Sequence, residues 1–216
     1  MDIGENISDS IKYPLSDWPK ILILTIISII PIVNFISGGY YLRIIKSTLA
    51  GVDEVPDFDN LGELFIDGIK IIVAGIVYML VPLIIFSVAA LLGSPGGAIL
   101  TGLALILFII GLIVALILGI IYVVAIANMA LYDSDLGAAF RFSEILDRIS
   151  QIGWGNYILW YIVVVLVTFV IGLVIGAIGF ILLFILIGFL VLIAGGAYLS
   201  MFQGRSLALL FRSSME

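Results

Sequence analysis

The sequence contains no cysteine and no histidine, and only 11% of its 216 residues are charged. Without cysteine there is no disulfide framework and no thiolate metal site. Without histidine there is no imidazole base and no histidine-held haem. An ordinary soluble domain carries about 25% charged residues, so the scarcity of charge excludes a soluble globular enzyme. Basic residues are the scarcer sign: nine Lys and Arg stand against 15 Asp and Glu, a formal charge of -6. No basic cluster is present to neutralise the phosphates of a nucleic acid or to grip anionic lipid heads. The first residues include Asp2, Glu5, Asp9 and Asp17, whereas a secretory leader begins with a basic segment. The apolar segments are therefore expected to stay in the mature protein.

What is abundant is apolar. Hydrophobic residues make up 63% of the chain, with 23 glycines, and the mean hydropathy is +1.36. Three stretches carry no charge at all: Ile21–Leu42, Ile71–Tyr132 and Ile149–Gly204. A spanning helix needs about 20 apolar residues, so the second and third runs are each long enough for a pair. Gly93-Ser94-Pro95-Gly96-Gly97 breaks the second run into a predicted hairpin, 70–92 and 98–131. The third reads as 155–176 and 180–203, turning at Gly176-Ala177-Ile178-Gly179. The first run has Pro31 and Asn34 at its centre. Proline removes a helical hydrogen bond and kinks or breaks the helix. The segment is either one kinked span or a re-entrant hairpin, Ile21–Ile30 and Phe35–Ala50, turning at Pro31-Ile32-Val33-Asn34.

The chain also resembles itself. Residues 2–12 align without gaps onto 60–70, with Gly4, Glu5, Asp9 and Lys12 matched by Gly62, Glu63, Asp67 and Lys70. A weaker third copy runs through Phe142–Leu146. Each copy is amphipathic at helical spacing and precedes an apolar segment. In the second, Asn60, Glu63, Asp67 and Lys70 are expected to face water, opposite Leu61, Leu64, Phe65 and Ile69.

The expectation is an all-α integral membrane protein, one membrane domain over 1–216 with pseudo-repeat units 1–59, 60–140 and 141–216. Each unit is an amphipathic helix plus an apolar hairpin. The whole has about four full transmembrane helices and one re-entrant or kinked N-terminal segment. With three hairpins, all Lys and Arg fall on one face, with both termini and the amphipathic helices; the positive-inside rule makes that face cytoplasmic in a multi-pass cell-membrane protein.

Pro56–Gly68, then Tyr78 and Pro82, then Ala139–Ile145 with Gly153-Trp154, resemble an archaeal, methanogen-type family catalogued as domain of unknown function 4013. The resemblance covers nearly the whole chain. Ser143 stands where the family would have glycine. The resemblance implies a polytopic membrane protein and supplies no reaction, ligand or catalytic residue.

Candidate sites are few. Asp53, Glu54, Asp57 and Asp59, extended by Glu63 and Asp67, are a weak divalent-cation candidate, more simply read as a solvated linker with helix caps. Gly111, Ala115 and Gly119, and Gly172 and Gly176, recur at the four-residue spacing that lets helices approach closely. Asn34, Tyr78, Thr101, Tyr122, Asn128, Thr168 and Gln203 are the polar groups at or near membrane depth. No nucleophile–base pair, phosphate loop or metal-ligand set is evident, so no enzymatic role and no cofactor is expected. The partners expected are the lipid bilayer, further copies of the chain or other membrane proteins, and no nucleic acid. The leading reading is a scaffold, assembly or bilayer-organising factor. The alternative is a passive channel or transporter for a small or lipidic solute, which a polar cavity reaching Asn34 would favour.

Overall fold

A computed structural model describes residues 2–94, 97–183 and 187–215. Every regular element in it is helical. Helix α1 (Ile3–Lys12) starts at Asp2, whose carboxylate accepts the Gly4 N–H at 2.6 Å, as an N-cap should. A short 3-10 turn, Tyr13–Asp17, leads into α2 (Trp18–Ile29). The helix then stops. Ile30 is extended (φ -91°, ψ 114°), the conformation that a following proline imposes. After the turn at Pro31–Asn34 the chain resumes as α3 (Phe35–Leu49). The first apolar run is thus two short helices, of 12 and 15 residues, about 18 and 22 Å long at 1.5 Å per residue.

Gly51, with φ of 79°, ends α3 in the left-handed conformation open to glycine. An irregular linker leads to α4 (Leu61–Gly93), then come α5 (Ala98–Leu131), a second 3-10 turn (Leu136–Phe140), α6 (Phe142–Ile152), α7 (Trp154–Leu182) and α8 (Ile187–Arg212). Gly153, φ 88°, separates α6 from α7. Helices α4, α5, α7 and α8 are long and apolar enough to cross a membrane, which indicates a multi-pass membrane protein.

Two expectations are corrected. Gly176-Ala177-Ile178-Gly179 does not turn; it lies inside α7, and the helix runs on to Leu182. With no proline there and apolar residues on both sides, nothing outweighs the hydrogen bonds of a continued helix. Residues 60–70 are not a separate amphipathic helix either: 61–70 are the first turns of α4. The three copies of the repeat consequently differ in form. The first is α1, set off by Pro14, the second continues unbroken into a span, and the third is α6, set off by Gly153.

The chain divides into two compact units, 1–71 with 124–216, and 72–123; these borders differ from those of the sequence repeat. In the larger unit α8 is central, with α1, α2, α3, α6 and α7 packed on it. Tyr13, Leu24, Ile36, Tyr40, Ile44, Val55, Leu64, Ala197 and Met201 form a buried cluster. Helix α6 buries Ile145, Ile149 and Ile152. The smaller unit is a helical hairpin from α4 and α5. Phe86 meets Phe108 at 5.4 Å, Tyr78 meets Tyr122 at 5.4 Å, and a Cβ on Gly111 would stand 2.6 Å from the Phe86 ring. The outward side chains are apolar in both units, as with Ile109, Leu116, Phe169 and Leu173. That is the surface a lipid solvent calls for.

Candidate functional site

The linker between α3 and α4 is strapped down by side chains from four neighbouring segments. Its carbonyls accept in turn from Arg205 (Val52 O, 3.3 Å), Tyr13 (Glu54 O, 3.3 Å), Lys20 (Val55 O, 2.6 Å), Tyr40 (Pro56 O, 2.8 Å) and Arg43 (Asp57 O, 3.1 Å; Asp59 O, 2.6 Å). Phe58 stacks on Tyr40 with ring centroids 4.0 Å apart. Burial pushes the Tyr13 hydroxyl up to about 12, so it remains a donor throughout the physiological range.

The acidic cluster is engaged by cations. Asp53 pairs with Arg205 at 2.7 Å, Asp57 with Lys20 at 2.9 Å, and Asp59 with Arg43. Glu63 lies 3.6 Å from Arg43 and 3.8 Å from Lys46. Glu54 contributes its carbonyl to Tyr13. Among the described residues no group of three acids is placed to hold a metal ion. The arrangement works as a clasp on the linker.

Asp67 departs from its expected place in water. It is buried, 3% exposed, and accepts from Ser134 Oγ at 2.7 Å and Lys70 Nζ at 3.0 Å, with Lys46 at 3.9 Å. The tight bend after α5 makes this possible. Asp133 and Ser134 both have positive φ (52° and 63°), and the bend turns Ser134 to Asp67 and Asp133 to Lys46 (2.7 Å). Ile69, expected on the apolar face against the membrane or the bundle, is exposed. The inward face of α4 here is set by α3. A Cβ on Gly39 would run into the Leu64 carbonyl, and one on Gly68 into the Phe35 carbonyl. This close backbone crossing was missed in the sequence, where Gly38-Gly39 and Gly68 lack the four-residue spacing.

Of the small residues that were expected to pack, Gly111 is buried against Phe86 and Ile85, and Ala115 is half-buried. A Cβ on Gly119, Gly172 or Gly176 would meet nothing within 4 Å. Close contacts between α7 and α8 use other glycines: Gly179 against Leu192, Gly188 against the Gly179 carbonyl, and Gly195 against Ile175.

Arg205 lies one residue past the last apolar run, and its side chain is 4% exposed. Nε donates to Asp9 (2.8 Å), Nη2 to Asp53 (2.7 Å) and Nη1 to Thr48 Oγ1 (3.3 Å), with the Tyr13 ring 4.9 Å away. Beside it Trp160 Nε1 donates to Ser206 Oγ (2.9 Å), Ser206 Oγ donates to Asn6 Oδ1 (2.5 Å), and Asn6 Nδ2 donates to the Ser206 carbonyl (2.9 Å). Helix α1 is thereby docked on α8.

A cavity of about 280 Å³ lies between α2, α3 and α8, lined by Leu24, Ser28, Asn34, Ser37, Ile193, Gly196, Ala197 and Ser200. Ile193, Gly196, Ala197 and Ser200 share one face of α8 at i, i+3, i+4 and i+7. Ser200 lies about 7 Å and Ile193 about 18 Å along the axis from Arg205, and Ser28 about 12 Å from Lys20. The site begins between one and two helical turns from the charged layer and extends away from it. Ser28 Oγ donates to the Leu24 carbonyl (2.7 Å) and accepts from Ser37 Oγ (2.9 Å). The Asn34 side chain is exposed and Ser200 half-buried, and among the described residues no protein group is hydrogen-bonded to the Asn34 side-chain amide or the Ser200 hydroxyl. Asn34 was a sequence candidate, and Pro31 marks the turn beside it. Ser28, Ser37 and Ser200 were missed. Their signal is faint: two serines straddling the proline turn, and one a helical turn past Gly195-Gly196-Ala197. The other polar candidates do not reach this cavity. Tyr78 and Tyr122 pack together, Gln203 donates to Thr168 (3.2 Å), Asn128 donates to the Ala138 carbonyl (3.0 Å), and Thr101 is exposed.

A family model described as a protein of unknown function, DUF4013, matches residues 23–180. The chain belongs to the DUF4013 family. Two uncharacterized proteins of Methanocaldococcus jannaschii are similar to this DUF4013 chain. MJ1189 is 31% identical over 150 residues, covering 67% of the chain and 50% of the relative. MJ0233 is 29% identical over 156 residues, covering 67% and 51%. The chain thus spans about half the length of the curated relatives it matches. No solved structure matches it.

Proposed function

We propose that this DUF4013 protein binds a small uncharged solute, or the head of a lipidic one, within the membrane, as a passive channel or transporter does. The carrying observation is the hydroxyl- and amide-lined cavity that reaches Asn34. Polar groups cost free energy at membrane depth unless they are satisfied. A cavity lined by three hydroxyls and a side-chain amide has a use for a ligand or for water. The break at Pro31–Asn34 supports a re-entrant hairpin, with α2 and α3 carrying the chain in and back from the charged layer of Lys20 and Arg43. Irregular backbone is tolerated at that depth where protein or a cavity covers it. The cavity hydroxyls keep company with an amide and carbonyls and lack a base, which favours binding over nucleophilic catalysis.

The scaffold reading keeps one specific support. Tyr40, Met201 and Leu24 pack above the cavity toward the charged layer, and the linker is clasped over that layer by the ion pairs described. A plug of this kind suits an assembly factor as well as a closed pathway.

The chain has no native cysteine, so cysteine chemistry separates the two. Ser200→Cys in liposomes should react with a small hydrophilic methanethiosulfonate about tenfold or more faster than Phe169→Cys on the apolar exterior, because thiolate forms poorly in apolar surroundings. Equal, slow reaction at both positions would mean a dry cavity and leave the scaffold reading.

A further inference from the structure

Resting on that reading of the cavity, we infer that its ligand is a neutral amphiphile, a hydroxyl-bearing head on an apolar tail, which enters sideways from the bilayer past Gly196. Three observations carry this.

The first is the chemistry of the lining. No charged side chain is present, and two of the four polar side chains, Ser28 and Ser37, satisfy each other. The other two are the Asn34 side-chain amide, exposed at the mouth, and the half-buried Ser200 hydroxyl, which between them offer donors and acceptors of no net charge. That set matches an alcohol or polyol. It does not match a phosphate, a carboxylate or an ammonium, whose burial needs an opposite charge.

The second is the direction of access. Toward the charged layer the way is filled by Leu24, Tyr40 and Met201, all buried. On the bilayer side the wall contains Gly196, which is exposed, and a Cβ there would meet nothing within 4 Å. The missing side chain leaves open space beside the lining, which a larger residue would fill.

The third is what flanks the opening. The turn that bears Asn34 carries Ile30, Pro31 and Ile32 outward, with Ile32 69% exposed. An apolar tail continuing from a head at Asn34 and Ser200 would lie on these residues and on the exposed Ile29.

The test uses the full chain in detergent micelles and radiolabelled dioctanoylglycerol as the probe, with the same lipid bearing a methylated hydroxyl as control. Saturable binding of the parent is expected, with the methylated lipid weaker. Ser200→Ala should weaken it about three- to tenfold, the share of one hydrogen bond. Gly196→Leu should abolish it, and excess free glycerol should not compete. Ser200→Ala removes one oxygen, so the test holds even if Gly196→Leu fails to fold. Equal binding of the methylated lipid, or no change in Ser200→Ala, would overturn the inference. So would competition by free glycerol with Gly196→Leu silent, because the source would then be a soluble polyol. If dioctanoylglycerol fails to bind while Ser200→Cys still reacts with the hydrophilic reagent, only the amphiphile is lost. If Ser200→Cys is unreactive, the cavity reading falls with it.

Discussion

Arg205 shows how one residue ties distant parts of the chain together. Its guanidinium joins α1 through Asp9, α3 through Thr48 and the linker through Val52 and Asp53. The arginine is buried while its carboxylate partners are not: the Asp9 and Asp53 side chains are 50% and 80% exposed. The two ends of the pair should therefore respond differently to substitution. Asp53→Asn should cost under about 1 kcal/mol, since an exposed partner is screened by water. Arg205→Met should cost about 1–3 kcal/mol, because it leaves buried Thr48 Oγ1 and the Val52 carbonyl without their donor. Thermal unfolding in detergent checks both. It also checks a pH dependence. The hydrogen bond from Arg205 holds the Asp53 carboxyl below its ordinary value, and Lys46 does the same for Asp133. A carboxyl depressed in the folded state stabilises above its unfolded pKa and loses that contribution as pH falls through the folded one. These two clasps should leave unfolding flat from about pH 5 to 8 and weaken it only in stronger acid; in Asp53→Asn the acid loss should shrink.

At the scale of elements, close helix contact depends on where a glycine meets backbone. Gly39→Ala should cost more than about 2 kcal/mol, since the added carbon meets the Leu64 carbonyl and a helix backbone cannot give as a side chain can. Gly172→Ala has open space, and should be neutral or gain up to about 1 kcal/mol from the stiffer unfolded chain. Equal effects of the two, measured by unfolding in the same detergent, would contradict the α3–α4 crossing. The contrast also marks what could be read beforehand. The spans, the break at Pro31 and the end of α4 at Gly93 follow from charge-free length and from proline and glycine chemistry, which are local; Pro95 and Gly96 of the expected turn lie outside the described residues. Spacing alone could not distinguish Gly172, which faces open space, from Gly39, which faces a carbonyl, because that depends on which helix lies opposite. Asp67 left its expected side for a related reason. Where the exterior solvent is lipid, an apolar residue gains nothing special by facing protein, and a carboxylate can face inward when Lys46, Lys70 and Ser134 meet it. The cavity was half legible: Asn34 stands out as a polar group beside a proline turn, whereas serines in an apolar helix look like ordinary back-bonding residues.

At the scale of the whole molecule, the proposed re-entrant hairpin has the chain enter the membrane before it first crosses it. Helix α4 is continuous from Leu61 to Gly93, about 50 Å of helix, long and apolar enough to cross a membrane once. If α2 and α3 go in and return, residue 8 shares a face with residue 61; if they cross, it does not. Single cysteines at Ser8, Ser94 and Ser214, probed with an impermeant thiol reagent in oriented membranes, decide between these directly. Ser8→Cys and Ser214→Cys should label from one side and Ser94→Cys from the other. Labelling of Ser8→Cys together with Ser94→Cys would show that the first segment spans the bilayer, and would contradict the re-entrant hairpin on which the cavity depends.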